Sequence, residues 1–154
     1  PRPYFVSFFW PTLKLLQSKI DSINVVEKAV FVENKIELSK VFFSMFKNNK
    51  YLIDIFNHSV YSQADFYIFL NSLKLYLEII SSSDSKEAAW SKFPRYLFSE
   101  KGDFVKIYNK LNRKKIIEIY KNILKVEGLI RKNSNLYNII GLRFVLNTKK
   151  VITS

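Results

Sequence analysis

The scarcity of turn-forming residues constrains the fold of this chain more than any other feature of its sequence. Only three glycines and four prolines occur among its 154 residues. Folds with many tight turns draw on these two residues, because glycine reaches positive φ and proline presets the φ of a turn. Apolar residues make up 48% of the chain, which is too many for a disordered protein. The sequence therefore favours long helices over a β fold with many turns.

Apolar residues recur at helical spacing over most of the chain and predict an all-α fold. The longest predicted helix, Arg113–Lys132, follows Asn112, which is a good N-cap residue. Its apolar spacing predicts that Leu124 points inward and that Lys115 points outward. Ser62 and Asp65 resemble a capping box that opens a helix over residues 65–80. Further predicted helices span residues 12–20, 22–31, 36–46, 51–56, 86–91, 102–110 and 136–146, with a linker at residues 32–35. Those from residue 36 onward predict a helical bundle-like domain of about six to eight helices.

A short apolar segment, residues 4–10, precedes Pro11. It predicts a buried strand or a turn of helix, because a membrane-spanning helix needs about 20 apolar residues. No small-residue cleavage site follows it, so a signal peptide is not expected. The chain has no cysteine, which excludes disulfides and thiolate metal sites and fits a reducing compartment. We therefore expect no membrane partner.

Positive charge is concentrated in the last third of the chain. From Lys101 onward lie thirteen of the 25 lysines and arginines, but only three of the 13 acidic residues. Such a region favours an anionic partner, and nucleic acid is the first candidate. The candidate contacts are the cations of the run that joins two predicted helices, namely Lys110, Arg113, Lys114 and Lys115.

Two interpretations of this basic run remain open. Each cation in the first turn of a helix opposes the macrodipole by a few tenths of a kcal/mol. Stability alone would not place Arg113, Lys114 and Lys115 there, so a bound anion is one explanation. The other is a solvated face in a lysine-rich chain. Aromatic residues could stack on unpaired bases, but their helical spacing on apolar faces favours core packing.

Residue patterns typical of catalysis are missing from the sequence. There is no G-x-x-x-x-G-K-[ST] or G-x-G-x-x-G loop for a phosphate, and no H-E-x-x-H or EF-hand pattern for a metal. No serine lies in a nucleophile elbow. The single histidine, His58, is a candidate general base, but a surface or capping role suits its expected loop better. We expect no catalytic residue, no cofactor and no metal, and hence no enzyme.

The order of the elements resembles the C-terminal domain of the delta subunit of the bacterial DNA polymerase III clamp loader. A long helix rich in leucine and aromatics, residues 66–80, leads through a short helix to the junction Phe93-Pro94-Arg95-Tyr96-Leu97-Phe98. A helix with Phe104 follows, and the next helix ends in Val126-Glu127-Gly128-Leu129-Ile130-Arg131. A last apolar helix contains Arg143. Upstream, residues 23–30 resemble the end of that family's lid domain, and residues 36–47 occupy the place of the helix after it.

This resemblance implies a collar domain at residues 35–154, preceded at residues 1–34 by a remnant of a lid-like helical domain or a linker. The implied role is non-catalytic assembly in a bacterial, cytoplasmic complex that loads the sliding clamp onto DNA during replication. The implied partners are the other clamp-loader subunits, with DNA nearby or weakly bound. The family's AAA+-like domain lies outside this sequence, and Gly128 interrupts the long helix. The alternative is a free-standing basic helical module that binds nucleic acid through phosphates.

Overall fold

The computed structural model describes the backbone of residues 9–47 and 50–153, and the side chains of residues 17–26, 35–47 and 50–153. Residues 4–8 of the apolar segment, for which a strand or a turn of helix is predicted, lie outside the described residues. The chain divides into two compact units, Pro1–Asn34 and Lys35–Ser154. The second unit contains the candidate site and most of the described side chains.

Seven α-helices and two 3₁₀ turns make up the described part of the chain, which contains no strand. The predicted all-α, bundle-like fold is confirmed. The helices are α1 (Phe9–Phe46), α2 (Leu52–Ser59), α3 (Gln63–Ser81), α4 (Lys86–Lys92), α5 (Lys101–Lys110), α6 (Arg113–Lys132) and α7 (Tyr137–Thr153). The 3₁₀ turns, Arg95–Glu100 and Ser134–Leu136, precede α5 and α7.

Helix α1 is longer than the sequence predicts. The breaks expected near Asp21 and at residues 32–35 are wrong, because the helix continues through both places. The polar side chains near Asp21 bond within the helix. The Ser22 hydroxyl donates to the Lys19 carbonyl over 2.7 Å, and Gln17 Nε2 donates to Asp21 Oδ1 over 3.3 Å. No glycine or proline occurs between residues 12 and 93, so nothing in this stretch forces a helix to end.

Helix ends defined by capping residues agree with the predictions. Ser62 and Asp65 form the capping box at the start of α3, with Ser62 Oγ accepting from the Asp65 amide over 3.1 Å. Asn112 Oδ1 accepts from the Lys115 amide over 2.9 Å and begins α6 at the predicted residue. The predicted end of α7 at residue 146 is wrong, because the helix runs to Thr153.

An aromatic cluster joins α3, α4 and α5 in the core. Phe104 of α5 lies 4.5 Å from Phe93 and 5.0 Å from Trp90, measured between ring centroids. Phe93 stacks on Tyr76 of α3 at 4.9 Å, and Tyr76 meets Phe42 of α1 at the same distance. These rings therefore pack on one another, as the helical spacing of the aromatics predicts.

The hydroxyl of Tyr76 is a buried polar group within this aromatic cluster. Tyr76 Oη and Ser39 Oγ form a buried hydrogen bond of 2.9 Å, which satisfies both groups. Burial of the ring raises the pKa of Tyr76 far above its usual value, because the charged form would lose its hydration. The phenol is therefore a structural hydrogen-bonding group and stays protonated.

Helix α7 packs closely on α2 and α3 through a glycine. Phe56 and Phe66 meet edge to face with centroids 6.0 Å apart, and Phe66 meets Phe144 of α7 at 6.4 Å. A Cβ on Gly141 would lie 2.7 Å from Phe56 Cζ and 2.9 Å from Phe66 Cε2. Because Gly141 has no side chain, α7 can approach these two rings closely.

The ion pair of Lys47 and Asp103 joins the end of α1 to the first turn of α5, with 2.5 Å between Nζ and Oδ2. The hydrogen bond from Lys47 lowers the pKa of the Asp103 carboxyl below its usual value. A lowered pKa contributes stability that is present above the unfolded pKa, near 3.9, and is lost as the pH falls through the folded value.

We therefore expect Asp103→Asn to lower the free energy of unfolding at pH 7 by about 0.5–1 kcal/mol, the small size reflecting solvent screening. The difference from the parent should shrink as the pH is lowered from 7 to about 2, because protonation of Asp103 removes the charge that pairs with Lys47. Urea unfolding at the two pH values measures it. Glu87→Gln alters a more exposed pair, 3.8 Å from Lys86, and should change little. An equal loss at both pH values would contradict the prediction.

Candidate functional site

The predicted basic run spans the junction of α5 and α6. Lys110 is the last residue of α5, and Arg113, Lys114 and Lys115 are the first of α6. Asn112 caps α6 between them. The structure therefore places all four predicted residues near one turn, but their side chains have different surroundings.

Two of the four cations bind backbone carbonyls at helix ends. Lys110 Nζ donates to the Phe46 carbonyl over 3.2 Å, and Lys115 Nζ donates to the Ile152 carbonyl over 2.9 Å. These carbonyls belong to the last turns of α1 and α7, where the helix dipole attracts cations. The outward orientation predicted for Lys115 is wrong, because its side chain is half-buried against α7. Internal contacts thus explain both lysines without a bound anion.

Arg113 and Lys114 are exposed and have no hydrogen-bonding or ionic partner among the described residues. Arg113 lies at the edge of an open depression of about 690 Å³. The other residues that line it come from the end of α3, from α5, from the turn after α5 and from α6, namely Ile80, Ser81, Tyr108, Leu111, Ile116, Ile117 and Tyr120. Of the predicted contacts, Arg113 and Lys114 remain available to an anion.

The solvent-facing side of α6 is strongly basic. Lys114, Lys121, Lys125 and Lys132 recur at spacings of seven, four and seven residues, which places them on one side of the helix. Glu118 shares this side. The other acid of α6, Glu127, pairs across to Lys74 of α3, with 2.5 Å between Oε1 and Nζ. Glu127 therefore lies away from the solvent-facing side, which carries an excess of cations.

Apolar side chains are exposed on α6, on α7 and on the turn between them. Leu129 of α6 is 49% exposed and Ile139 of α7 is 66% exposed. Leu124 of α6 is predicted to point inward, which is wrong, because the side chain is 65% exposed. Single exposed apolar residues are ordinary, but a group of them beside unpaired cations is typical of an interaction surface. We call Leu129, Leu136, Ile139 and Leu146, with the cations between them, the outer α6–α7 surface. Leu124 precedes Leu129 by five residues and lies on a different side of α6.

A groove runs between α6 and α7 within this surface. The two helices are antiparallel neighbours, since Lys115 near the start of α6 reaches Ile152 near the end of α7. The groove encloses about 290 Å³ and contains no acidic residue. It is lined by Asn122, Lys125, Val126 and Leu129 of α6 and by Ile139, Ile140, Arg143, Phe144 and Asn147 of α7.

Sequence reasoning did not identify this groove. Helix α7 is predicted to end at residue 146, and no pairing of α6 with α7 is predicted. One usable signal was present, because Leu129 and Ile139 fall outside the buried apolar stripe of their helices. Apolar residues beyond that stripe indicate a second covered face.

Three further predictions concern His58, metal binding and membrane-spanning helices. His58 is exposed in the last turn of α2, a helix rather than the predicted loop. No group of three or more histidine, cysteine or acidic residues that could hold a metal ion occurs among the described residues. Over the same residues, no helix has the length and apolar character to cross a bilayer.

Comparison with known proteins gives no relative for this chain: no protein family, curated protein or solved structure matches it. The resemblance to the delta subunit of the clamp loader therefore stays a prediction. The chemistry of the outer α6–α7 surface is then the basis on which a function can be proposed.

Proposed function

We propose that Lys35–Ser154 is a non-catalytic assembly domain that binds another protein through its outer α6–α7 surface. The observation that carries the proposal is the exposure of Leu129, Leu136 and Ile139 on α6, on α7 and on the turn between them, beside cations that have no partner in the described region. Burying such side chains against a partner would remove apolar area from water, which drives most protein association.

The resemblance to the clamp-loader delta subunit names a specific setting for this role. In that setting the domain would be a collar that packs beside the other clamp-loader subunits and contributes to loading the sliding clamp onto DNA. An all-α domain with an uncovered apolar and basic face is compatible with such a collar. The clamp-loader subunits are therefore the first partners to test.

The proposal predicts that the chain binds at least one clamp-loader subunit of its own organism when the two are produced together. Size-exclusion chromatography and native mass spectrometry measure the complex. The triple change Leu129→Ser, Leu136→Ser and Ile139→Ser should weaken it at least about tenfold, because these residues form the apolar part of the contact.

A matched control places the same kind of change elsewhere. Tyr51→Ser with Ile53→Ser alters exposed apolar residues at the start of α2 and should leave binding unchanged. If no subunit binds the parent chain, the clamp-loader setting is wrong. If the control change weakens binding as much as the triple change, the outer α6–α7 surface is not the contact.

Phosphate binding is the second candidate, and the exposed Arg113 and Lys114 favour it together with the lysines of α6. Binding of this kind loses affinity steeply with salt, with a slope near −0.9 for each phosphate contact on duplex DNA. Anisotropy of a labelled duplex between about 50 and 200 mM salt distinguishes the two functions. The assembly function predicts weak DNA binding or none at the lower salt, whereas a nucleic-acid module predicts tight, salt-sensitive binding.

A further inference from the structure

We propose that the groove between α6 and α7 binds an amphipathic helix of a partner protein, and that acidic residues flank the apolar face of that helix. The inference rests on the proposed assembly function and names the chemistry of the partner at that surface. The shape of the groove, its charge and the poor fit of the other possible occupants support it.

The shape of the groove suits a third helix. Val126, Ile140 and Phe144 are buried or half-buried and form its floor, while Leu129 and Ile139 rise from opposite helices as its exposed walls. Two antiparallel helices leave a trough of this kind along their shared seam. A helix with apolar residues at spacings of three and four can place them between such walls.

The charge of the groove selects an acidic helix. Lys125 of α6 and Arg143 of α7 give it one cation from each wall, and both are exposed with no partner among the described residues. No acid lines the groove, and Glu127 is held away by Lys74. Carboxylates on both flanks of the entering helix would pair with the two cations and fix its position, which gives specificity and faster association.

Other occupants fit this groove less well. A second copy of the chain would bring the same two cations to a symmetric contact, where they would repel. Phe144, the one aromatic residue of the lining, is buried and gives no stacking surface to an unpaired base. A bilayer is flat, whereas Leu129 and Ile139 are walls of a concave trough.

Binding of synthetic helical peptides to the full chain tests the proposal. The probe is a labelled peptide of about 20 residues, with leucines at helical spacing and glutamates on both flanks. One comparison peptide carries lysine in place of glutamate, and another has the probe's residues in scrambled order. Fluorescence anisotropy should show binding of the probe, at least about tenfold weaker binding of the lysine peptide, and none of the scrambled peptide.

Two leucines of α6 provide a matched pair of variants. Leu129 lines the groove, whereas Leu124 does not, although both are exposed. Leu129→Ser should weaken probe binding at least about tenfold, and Leu124→Ser should leave it unchanged. Arg143→Gln should reduce the preference for glutamate over lysine peptides. Helical content measured by circular dichroism verifies that each variant is folded.

Several outcomes would overturn the inference. They are equal binding of the glutamate and lysine peptides, equal effects of Leu124→Ser and Leu129→Ser, or the absence of probe binding. Sedimentation with vesicles of anionic phospholipid, or binding to duplex DNA, that Leu129→Ser abolishes would assign the groove to a membrane or to nucleic acid. If the triple variant loses its protein partner while the parent ignores the probe, the assembly function stands and the acidic-helix inference falls.

Discussion

Replacing Phe104 by alanine is expected to lower the free energy of unfolding by about 3–5 kcal/mol, the range typical of a fully buried phenylalanine. The ring of Phe104 is 0% exposed and touches Phe93 and Trp90 at centroid distances of 4.5 and 5.0 Å. Its removal leaves a cavity where α5 meets the aromatic cluster, and the stiff rings around it can refill that cavity only in part. Urea unfolding followed by circular dichroism measures the loss.

The same substitution at Phe98 is the control. Phe98 is 54% exposed, and its contact in the cluster is Trp90, with 5.9 Å between ring centroids. Because most of this ring already meets water, Phe98→Ala should cost less than about 1 kcal/mol. Similar losses at the two positions would show that the cluster is not the centre of the core.

Replacing Gly141 by alanine should destabilise the domain by about 1–3 kcal/mol, the usual cost of overpacking a core. The added Cβ would lie 2.7 Å from Phe56 and 2.9 Å from Phe66, closer than packed carbon atoms come. Both rings are fully buried, so they can retreat only by moving their own neighbours. Alanine's higher helix propensity, worth about 1 kcal/mol, offsets only part of this cost.

Gly128 in α6 provides a control for which the opposite effect, a gain in stability, is expected. It is exposed, and a Cβ built there meets no atom within 4 Å. Gly128→Ala should therefore raise the free energy of unfolding by about 0.5–1 kcal/mol, through helix propensity alone. Thermal or urea unfolding compares the two variants directly. A gain in stability from Gly141→Ala equal to that from Gly128→Ala would refute the close packing of α7.

The lysines of the basic run illustrate how one charge pattern can serve two purposes. Lys110 and Lys115 bind helix-end carbonyls inside the domain, whereas Arg113 and Lys114 have no such contact among the described residues. Cations at the start of α6 are unfavourable only with respect to the dipole of α6 itself. Lys115 lies at the start of one helix and at the end of another, and the second position stabilises it.

Local signals in the sequence were sufficient to predict parts of the fold. The caps at Ser62 and Asn112 depend on a side chain and an amide three residues away, so they can be read from the sequence alone. The end of α4 before Pro94 follows from the steric demand of proline on the preceding residue. In each case both interacting groups lie within one turn of the chain.

Other features of the fold were not predicted correctly. The sequence predicts a break in α1 near Asp21 because polar residues often end a helix, but here their side chains bond within it. A wide apolar stripe does not indicate which of its edges a neighbouring helix covers. The exposure of Leu124 is therefore not predicted from the sequence. The groove is not predicted either, because it requires the pairing of α6 with α7.

Three properties of this protein can be predicted from its sequence: it is helical, several of its helices begin at capping residues, and its C-terminal third is basic. Those properties follow from the scarcity of glycine and proline, from local capping and from composition. The packing of the helices is needed to see which lysines bind carbonyls, which leucines stay exposed and where a partner helix would fit. The physical reason is that burial and charge pairing are properties of two surfaces in contact, and the contacting residues lie far apart along the chain.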